Sequence, residues 1–233
     1  AMASFVSTRA FEQIRVDCGY NRNGVKIIAP CSGLEAGHWG PTHHAVEDLA
    51  LMRMVPGMTV LCPADPAEVT RAVVAAAEVD GSVYLRVGYL RPIEGYDEEF
   101  EIGRAVPMRE GSDVAIMATG ASVAEAITAH GLLKAQGVSA RVLNMHSIKP
   151  IDREAIESAA AEIGRIVTVE EHFADGGLGG AVAEVLAELG TGRLLRLGLK
   201  DEFIMEVAAY PEILKLAGLD AASIASAAKS LLD

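Results

Sequence analysis

One stretch decides how this chain is arranged: Ser32-Gly33-Leu34-Glu35-Ala36-Gly37-His38-Trp39-Gly40-Pro41-Thr42-His43-His44. It follows an apolar run, Val25–Ala29, that is typical of a buried strand, and it precedes a predicted amphipathic helix near His44–Met54. The glycines and the proline between these elements favour a long loop. Ligands of α/β proteins bind at loops that follow the carboxyl ends of strands. We therefore expect this His- and Gly-rich loop to carry the functional site.

The composition is that of a globular protein with a sizeable core. The chain has 233 residues, of which 51% are hydrophobic and 22% charged, and this length suits one large domain or two small ones. It has no run of about 18 apolar residues, so no membrane span is expected. A net charge of −12 with scattered Lys and Arg residues argues against nucleic acid or an anionic membrane as a partner.

The cysteine pattern bears on the cellular compartment. Cys18, Cys31 and Cys62 are widely spaced and form no C-x-x-C motif, which disfavours a disulfide scaffold and predicts a reducing cytosol. No signal peptide is visible. We therefore expect a cytoplasmic protein.

Alternating strands and helices predict an α/β fold with two successive parallel-sheet domains, at 1–91 and 113–233, joined by a linker at 92–112 that is rich in Pro and Gly. In the first domain, helices are predicted near Phe5–Cys18, His44–Met54 and Pro66–Val79, and strands at Val25–Ala29, Thr59–Cys62 and Ser82–Val87. In the second, strands are predicted at Val114–Ala118, Ala140–Met145, Arg165–Val169 and Leu194–Leu197, and helices near Ser122–Ala135, Ile151–Ile163, Leu178–Leu189, Ile204–Leu216 and Ala221–Leu232.

Five short motifs, in order, carry a resemblance to a known family. Gly40-Pro41-Thr42-His43, followed by Ala45-Val46-Glu47-Asp48, resembles the GPTH segment of transketolases and deoxyxylulose-phosphate synthases. The resemblance implies that 1–91 is most of a pyrimidine-binding domain of a thiamine-diphosphate enzyme and that 113–233 is a transketolase C-terminal domain. The other matching motifs are Phe5-Val6-Ser7 with Arg9-Ala10-Phe11, Pro63-Ala64-Asp65, Ala118-Thr119-Gly120, and Val169-Glu170-Glu171-His172 with Gly176-Gly177.

The resemblance also implies an activity and a partner. Transketolases use thiamine diphosphate with Mg²⁺ to move a two-carbon ketol unit between sugars or sugar phosphates. The glutamate that activates the cofactor ring and the GDG motif that binds diphosphate and metal have no match in this sequence. We therefore expect an N-terminal transketolase subunit or domain as partner, a homodimer or heterotetramer, and no activity in the isolated chain.

Two other functions stay open at this point. The chain resembles the β subunit of a 2-oxo-acid dehydrogenase or a deoxyxylulose-phosphate-synthase-like enzyme closely enough to share their cofactor. A non-catalytic dimerisation or regulatory module is the third reading, because Met2 and Thr8 stand where the family often has a second aromatic residue for the cofactor ring.

The resemblance assigns roles to three residues near the cofactor. His43 matches the histidine that faces the thiazolium and the substrate, and imidazole titrates near neutral pH, as acid–base chemistry requires. Phe5 matches the aromatic residue that stacks on the aminopyrimidine ring, and Arg9 belongs to the same matching segment. We expect His43 to be catalytic and Phe5 and Arg9 to bind the cofactor.

Three further residues depart from the family pattern on the substrate side. Cys31 stands where transketolases have a substrate-binding histidine, His38 replaces an acidic neighbour, and Trp39 replaces an aspartate that binds a sugar hydroxyl. Because indole cannot accept that hydrogen bond and occupies more volume, a different or smaller donor is expected. The alternative for Trp39 is a subunit contact.

Charged residues elsewhere offer weaker candidates. Arg86 and Arg91 flank the strand end near which the family places a phosphate-binding arginine, so either is a candidate substrate ligand or a surface arginine. The segment Glu170–Gly179 is either an anion-binding helix start or a tight turn at a subunit contact. Four residues in and beside the loop do not have the spacing of a zinc site, so no metal site is expected: Cys31, His38, His43 and His44.

Overall fold

Two sheets, each flanked by helices, organise the chain. The structure is a computed structural model that describes residues 2–232. Ala1 and Asp233, the outer limits of the two predicted domains, lie outside the described residues. The described strands are β1 (Lys26–Ala29), β2 (Thr59–Leu61), β3 (Val83–Arg86), β4 (Val106–Arg109), β5 (Val114–Ala118), β6 (Ala140–Asn144), β7 (Ser147–Lys149), β8 (Arg165–Phe173) and β9 (Arg193–Leu199).

The helices fill the connections between these strands. Within residues 2–232, no helix has the length and apolar character needed to traverse a bilayer. The α-helices are α1 (Ala3–Thr8), α2 (Phe11–Gln13), α3 (Asp48–Met54), α4 (Pro66–Glu78), α5 (Ser122–Lys134), α6 (Arg153–Glu162), α7 (Leu178–Leu189), α8 (Tyr210–Leu216) and α9 (Ala221–Ser230).

The predicted α/β class with two successive sheets is confirmed. The first sheet has the strand order β1-β3-β2-β7, in which the first three strands are parallel and β7 is antiparallel to β2. The second has the order β4-β6-β5-β8-β9, in which β4 alone runs antiparallel to its neighbour. Crossover helices join the parallel strands, as the β-α-β order requires.

The two halves of the chain are interleaved. Strand β7 comes from the second half but completes the first sheet, and the loop after β2 enters the crevice at the carboxyl ends of β5 and β6. There the Cys62 N–H donates to the His146 carbonyl oxygen at 2.7 Å, and the Gly120 N–H donates to the Cys62 carbonyl oxygen at 3.2 Å. This edge of a sheet commonly binds ligands, but here the protein's own main chain fills it. Because β7 crosses from the second half into the first sheet, the predicted domain limits 1–91 and 113–233 remain a prediction.

Several element boundaries differ from the sequence prediction, among them two in the first half of the chain and two that involve prolines. The single helix predicted at Phe5–Cys18 is divided into α1, α2 and a π-helical segment, Ile14–Tyr20. Helix α3 starts only at Asp48 because Ala45 pairs with Gly33 instead of joining a helix.

The other two boundary differences involve prolines. The predicted start of this helix at Ile204 has no regular structure, and α8 begins at Tyr210 with Pro211 in its first turn, where the missing N–H leaves no helix bond unmade. The predicted linker 92–112 contains β4, whose Pro107 is tolerated because β4 lies at the edge of the sheet.

The segment between the halves covers a buried histidine. Phe100 lies with its ring centroid 4.2 Å from that of His146, which is 0% exposed. Burial lowers the pKa of His146 to about 4, although Asp152 opposes this shift and Arg71 adds to it. His146 is therefore neutral in the folded protein at physiological pH, while in the unfolded chain it titrates near its ordinary value.

We expect His146 to make the folded state sensitive to acid. Above about pH 6.5 His146 is neutral in both the folded and the unfolded chain. As the pH falls from there toward 4, the unfolded chain takes up a proton that folded His146 resists, and the free energy of unfolding falls by about 3 kcal/mol in total. His146→Leu removes the titrating group, so the free energy of unfolding should fall less between pH 7 and 4 than in the unaltered chain. Urea unfolding at a series of pH values measures the difference. Parallel pH curves for the two chains would contradict the prediction.

Candidate active site

The His-rich stretch forms a loop that is closed at its base. Gly33 and Ala45 exchange two backbone hydrogen bonds of 2.9 and 3.0 Å, which fix the ends of the loop 33–45. Gly33 has a φ of +63°, and a Cβ atom there would lie 2.5 Å from Oε2 of Glu171, so only glycine fits. At the tip, the His43 N–H donates to the Gly40 carbonyl oxygen at 3.0 Å. The loop is therefore a defined structure that presents its tip at the surface.

Four rings and one guanidinium meet at this tip. The His43 ring centroid lies 5.3 Å from that of Phe5 and 5.4 Å from that of Trp39, and the His38 ring lies 4.6 Å from Trp39. The guanidinium carbon of Arg9 lies 4.9 Å from the centroid of the Phe5 ring. We call these five residues the ring row. The fold thus brings together five of the eight residues that the sequence predicted for the site.

The ring row is accessible from outside the chain. Trp39 is 50% exposed, His38 and Arg9 are exposed, and Phe5 and His43 are half-buried. Helix α1 delivers Phe5 because the Ala3 N–H donates to the carbonyl oxygen of Pro30, at the start of the loop, at 2.8 Å. The Phe5 ring is therefore partly open to solvent beside the exposed members of the ring row.

Thr42 orients the His43 ring. Its Oγ1 lies 2.9 Å from Nδ1 of His43, which leaves Nε2 as the ring nitrogen for a ligand. The neighbouring His44 is buried, and burial, followed by the nearby His43, lowers its pKa. His43 is thus the member of the pair that faces outward, and His44 is an interior residue that is neutral at physiological pH.

Cys31 lies two residues before the loop in a strained conformation. It has a φ of +57°, which is unusual for a residue with a side chain. Burial raises the pKa of its thiol, and Glu35 raises it further, so the thiol is protonated at neutral pH. Its predicted role in substrate binding stays a prediction.

Arg86 lies inside the protein, contrary to its prediction as a substrate ligand. Its Nε donates to Oδ2 of Asp48 at 2.9 Å, and its Nη2 donates to the carbonyl oxygens of Ala45 at 3.0 Å and Glu171 at 2.8 Å. Tyr84 donates its hydroxyl to the same Asp48 oxygen at 2.8 Å. The guanidinium therefore joins the base of the loop to β8. This buried ion pair could not be predicted from the sequence, because Asp48 lies 38 residues before Arg86.

Arg91 is exposed and pairs with Glu125 of α5. Beside it, Tyr89 stacks on Tyr210, the first residue of α8, with ring centroids 4.3 Å apart. Arg91 lies outside the ring row, and its role as a substrate ligand stays a prediction.

The Glu170-Glu171-His172 motif holds the loop and its neighbouring helices. Glu170 accepts hydrogen bonds from the N–H groups of Leu178 and Gly179 at 2.6 and 2.7 Å, so the protein's own carboxylate occupies the start of α7 and the anion-binding reading was wrong. Nε2 of His172 accepts the Ala50 N–H at 3.2 Å.

Glu171 serves the loop itself. It accepts the Leu34 N–H at 3.0 Å and the hydroxyl hydrogen of Tyr210. Burial raises the pKa of the Glu170 and Glu171 carboxyl groups. In the sequence, these buried carboxylates are indicated by the apolar strand Arg165–Val169, which continues directly into two consecutive glutamates.

The described residues suit a heteroaromatic ligand better than a metal ion. In residues 2–232, no group of three or more His, Cys, Asp or Glu side chains is arranged to hold a metal. The half-buried face of Phe5, beside an imidazole and a guanidinium, suits a flat ring.

Two domain families match the chain along most of its length. The transketolase pyrimidine-binding domain matches residues 2–88, and the transketolase C-terminal domain matches residues 103–224. Together they cover the two sheets described above.

Individual relatives are similar over nearly the same range. The chain is 42% identical over 189 residues to one subunit of the apulose-4-phosphate transketolase of Phocaeicola vulgatus, covering 80% of this chain and 61% of that subunit. It is 39% identical over 236 residues to the 6-deoxy-6-sulfo-D-fructose transketolase subunit SqwH of a Clostridium species, covering 100% of this chain and 73% of that subunit. A solved split-gene transketolase, described as an inactive β4 tetramer, superposes with a TM-score of 0.89 at 41% identity and covers 99% of this chain and 74% of its own.

Proposed function

Because this chain belongs to the transketolase family, we propose that it is the C-terminal subunit or portion of a thiamine-diphosphate-dependent enzyme that transfers a two-carbon ketol unit between sugars or sugar phosphates. The ring row carries this proposal, because it joins an aromatic face, a cation and an imidazole at one accessible place. The chain spans 61 to 74% of the subunits that it matches, so the activity of the whole enzyme is part of the proposal.

The cofactor ring fits the first members of the ring row. The aminopyrimidine ring would lie against Phe5, beside Arg9, whose guanidinium carbon lies over the Phe5 ring. Thiamine diphosphate, when bound, supplies a nucleophilic carbon and an electron sink for breaking a carbon–carbon bond.

His43 would serve the substrate. With Nδ1 engaged by Thr42, Nε2 can donate to a substrate oxygen and return or remove a proton there. The imidazole lies between the rings of Phe5 and Trp39, each in a T-shaped arrangement with it, which would favour one ring orientation. The proton is therefore held at a fixed atom, as general acid–base catalysis requires.

Trp39 and His38 would shape the donor side of the site. Cys31, two residues before the loop, is a further candidate for contact with the substrate. An exposed indole gives an apolar wall without a hydrogen-bond acceptor, which favours a donor that is smaller or less hydroxylated at that position. Arg91 is a candidate ligand for a substrate phosphate.

A partner would complete the site. The described residues offer no metal-binding cluster, so Mg²⁺ and the diphosphate would be held by an N-terminal transketolase subunit or domain. The relatives include one subunit of a divided transketolase and a β4 tetramer, which supports an assembly of the homodimer or heterotetramer type. The three cysteines are free thiols, which fits a cytoplasmic enzyme.

We expect the chain alone to bind thiamine diphosphate weakly and to lack transketolase activity. Calorimetry with Mg²⁺ and cofactor measures the first property, and coupled assays with a panel of ketose phosphates measure the second. Addition of the N-terminal subunit from the same genome should restore both. Micromolar cofactor binding by the chain alone would contradict the divided site, and absence of activity with the partner and every donor would favour the non-catalytic module.

A further inference from the structure

We propose that Glu171 and Tyr210 are positioning residues that hold the loop 33–45, and with it His43, in the ring row. The catalytic meaning of this inference rests on the proposed function, whereas the geometry of the contact does not.

The Glu171 carboxylate is fully enclosed and depends on two donors. It is 3% exposed, and among the described residues its hydrogen-bond donors are the Leu34 N–H and the Tyr210 hydroxyl. Arg86 donates to the backbone carbonyl oxygen of Glu171 and not to its carboxylate. A buried carboxylate that loses one of two donors is left with an uncompensated oxygen, which is costly.

One of the two donors belongs to the loop that carries His43. Leu34 is the second residue of the closed loop and is 0% exposed, so a shift of its N–H displaces the chain that leads to His43. Gly33 has no side chain, and this is what allows the carboxylate to approach the loop.

The segment before Tyr210 touches the loop a second time. The Ala208 N–H lies 3.4 Å from the carbonyl oxygen of Gly37, and a Cβ atom at Gly37 would lie 2.9 Å from the Ala208 carbonyl oxygen. Tyr210 is held in place by its stack on Tyr89. Glu171 therefore ties the base of the loop to a segment that also packs against the middle of the loop.

A neighbouring residue supplies a matched control. Glu170 is equally buried and also accepts two hydrogen bonds, but its donors are the N–H groups at the start of α7. Glu170→Gln and Glu171→Gln make the same chemical change one residue apart. General loss of stability is common to both, whereas displacement of the loop is expected only for Glu171→Gln.

Trp39 is a built-in reporter of the loop. It is the only tryptophan of the chain, and it lies against His38 and His43, whose imidazoles quench indole emission. In Glu171→Gln and Tyr210→Phe, we expect brighter emission and stronger quenching by acrylamide than in the unaltered chain and in Glu170→Gln. In the enzyme reconstituted with its partner, the same two variants should lose turnover by up to about a hundredfold, with a smaller change in KM, because a misplacement of about 1 Å has that effect.

Each outcome has a defined meaning. If Glu171→Gln does not fold, Tyr210→Phe, which removes one hydroxyl group, carries the test. Emission and quenching of Trp39 that match Glu170→Gln in both variants would overturn the inference and leave Glu171 a purely structural residue. If every reconstituted chain lacks activity while the Trp39 signals still differ, the proposed function fails and the positioning role stands.

Discussion

We expect His43→Ala to lower turnover of the reconstituted enzyme by about a hundredfold or more, the usual contribution of a positioned acid–base group. The expectation rests on the contact of Thr42 with Nδ1, which leaves Nε2 for a substrate, and on the Phe5 ring 5.3 Å from the imidazole. Folding should be little affected, because His43 is a half-buried loop residue. Steady-state kinetics with a ketose phosphate donor, together with thermal unfolding, measure both effects.

Two further variants make this result specific. Thr42→Val removes the hydroxyl that orients the imidazole and should give a smaller loss of turnover. His130→Ala removes a histidine from α5, where its ring contacts the Ala140 carbonyl oxygen, and should leave turnover unchanged. A loss in His43→Ala no larger than that in His130→Ala would exclude acid–base catalysis by His43.

Arg86→Met should be the most damaging single change to stability, with a loss of about 3 to 5 kcal/mol in the free energy of unfolding. The reason is that the carboxyl group of Asp48 is 0% exposed and would be left with only the Tyr84 hydroxyl as a hydrogen-bond donor. The carbonyl oxygens of Ala45 and Glu171 would lose their donor at the same time. Urea unfolding followed by circular dichroism measures the loss.

The double variant Asp48→Leu with Arg86→Met removes both charges and should be more stable than Arg86→Met alone. Arg104→Met breaks an ion pair with Glu154 that is exposed to solvent and should leave the unfolding midpoint nearly unchanged. Equal destabilisation by Arg86→Met and Arg104→Met would show that the buried pair has no special weight.

The sequence predicted the strands and helices well wherever a local pattern determined them. Strand β5 and helix α4 start at the predicted residues, because an apolar run and an Asp-Pro cap are local features. Strand β7 was missed because three residues before a proline form no pattern, and its place depends on pairing with β2. Long-range pairing of this kind has no local sequence pattern.

The residues of the candidate site were also predictable only where a local motif marked them. The resemblance led to Phe5 and His43, and the fold brings their rings together although 38 positions separate them. Arg86 was misplaced because an arginine at a strand end looks exposed until its buried carboxylate is known. Glu171 and Tyr210 were missed because the loop they support lies more than 100 residues away in the sequence.

The interleaving of the two halves has an evolutionary consequence. A gene for this chain tolerates fission only where the cut leaves each sheet on one polypeptide. A break between the codons for β3 and β5 would place β7 on a different polypeptide from the rest of its sheet. It would also expose, on both pieces, the main-chain contact between Cys62 and Gly120. Selection should therefore keep these two halves in one reading frame, even in lineages whose enzymes are divided elsewhere.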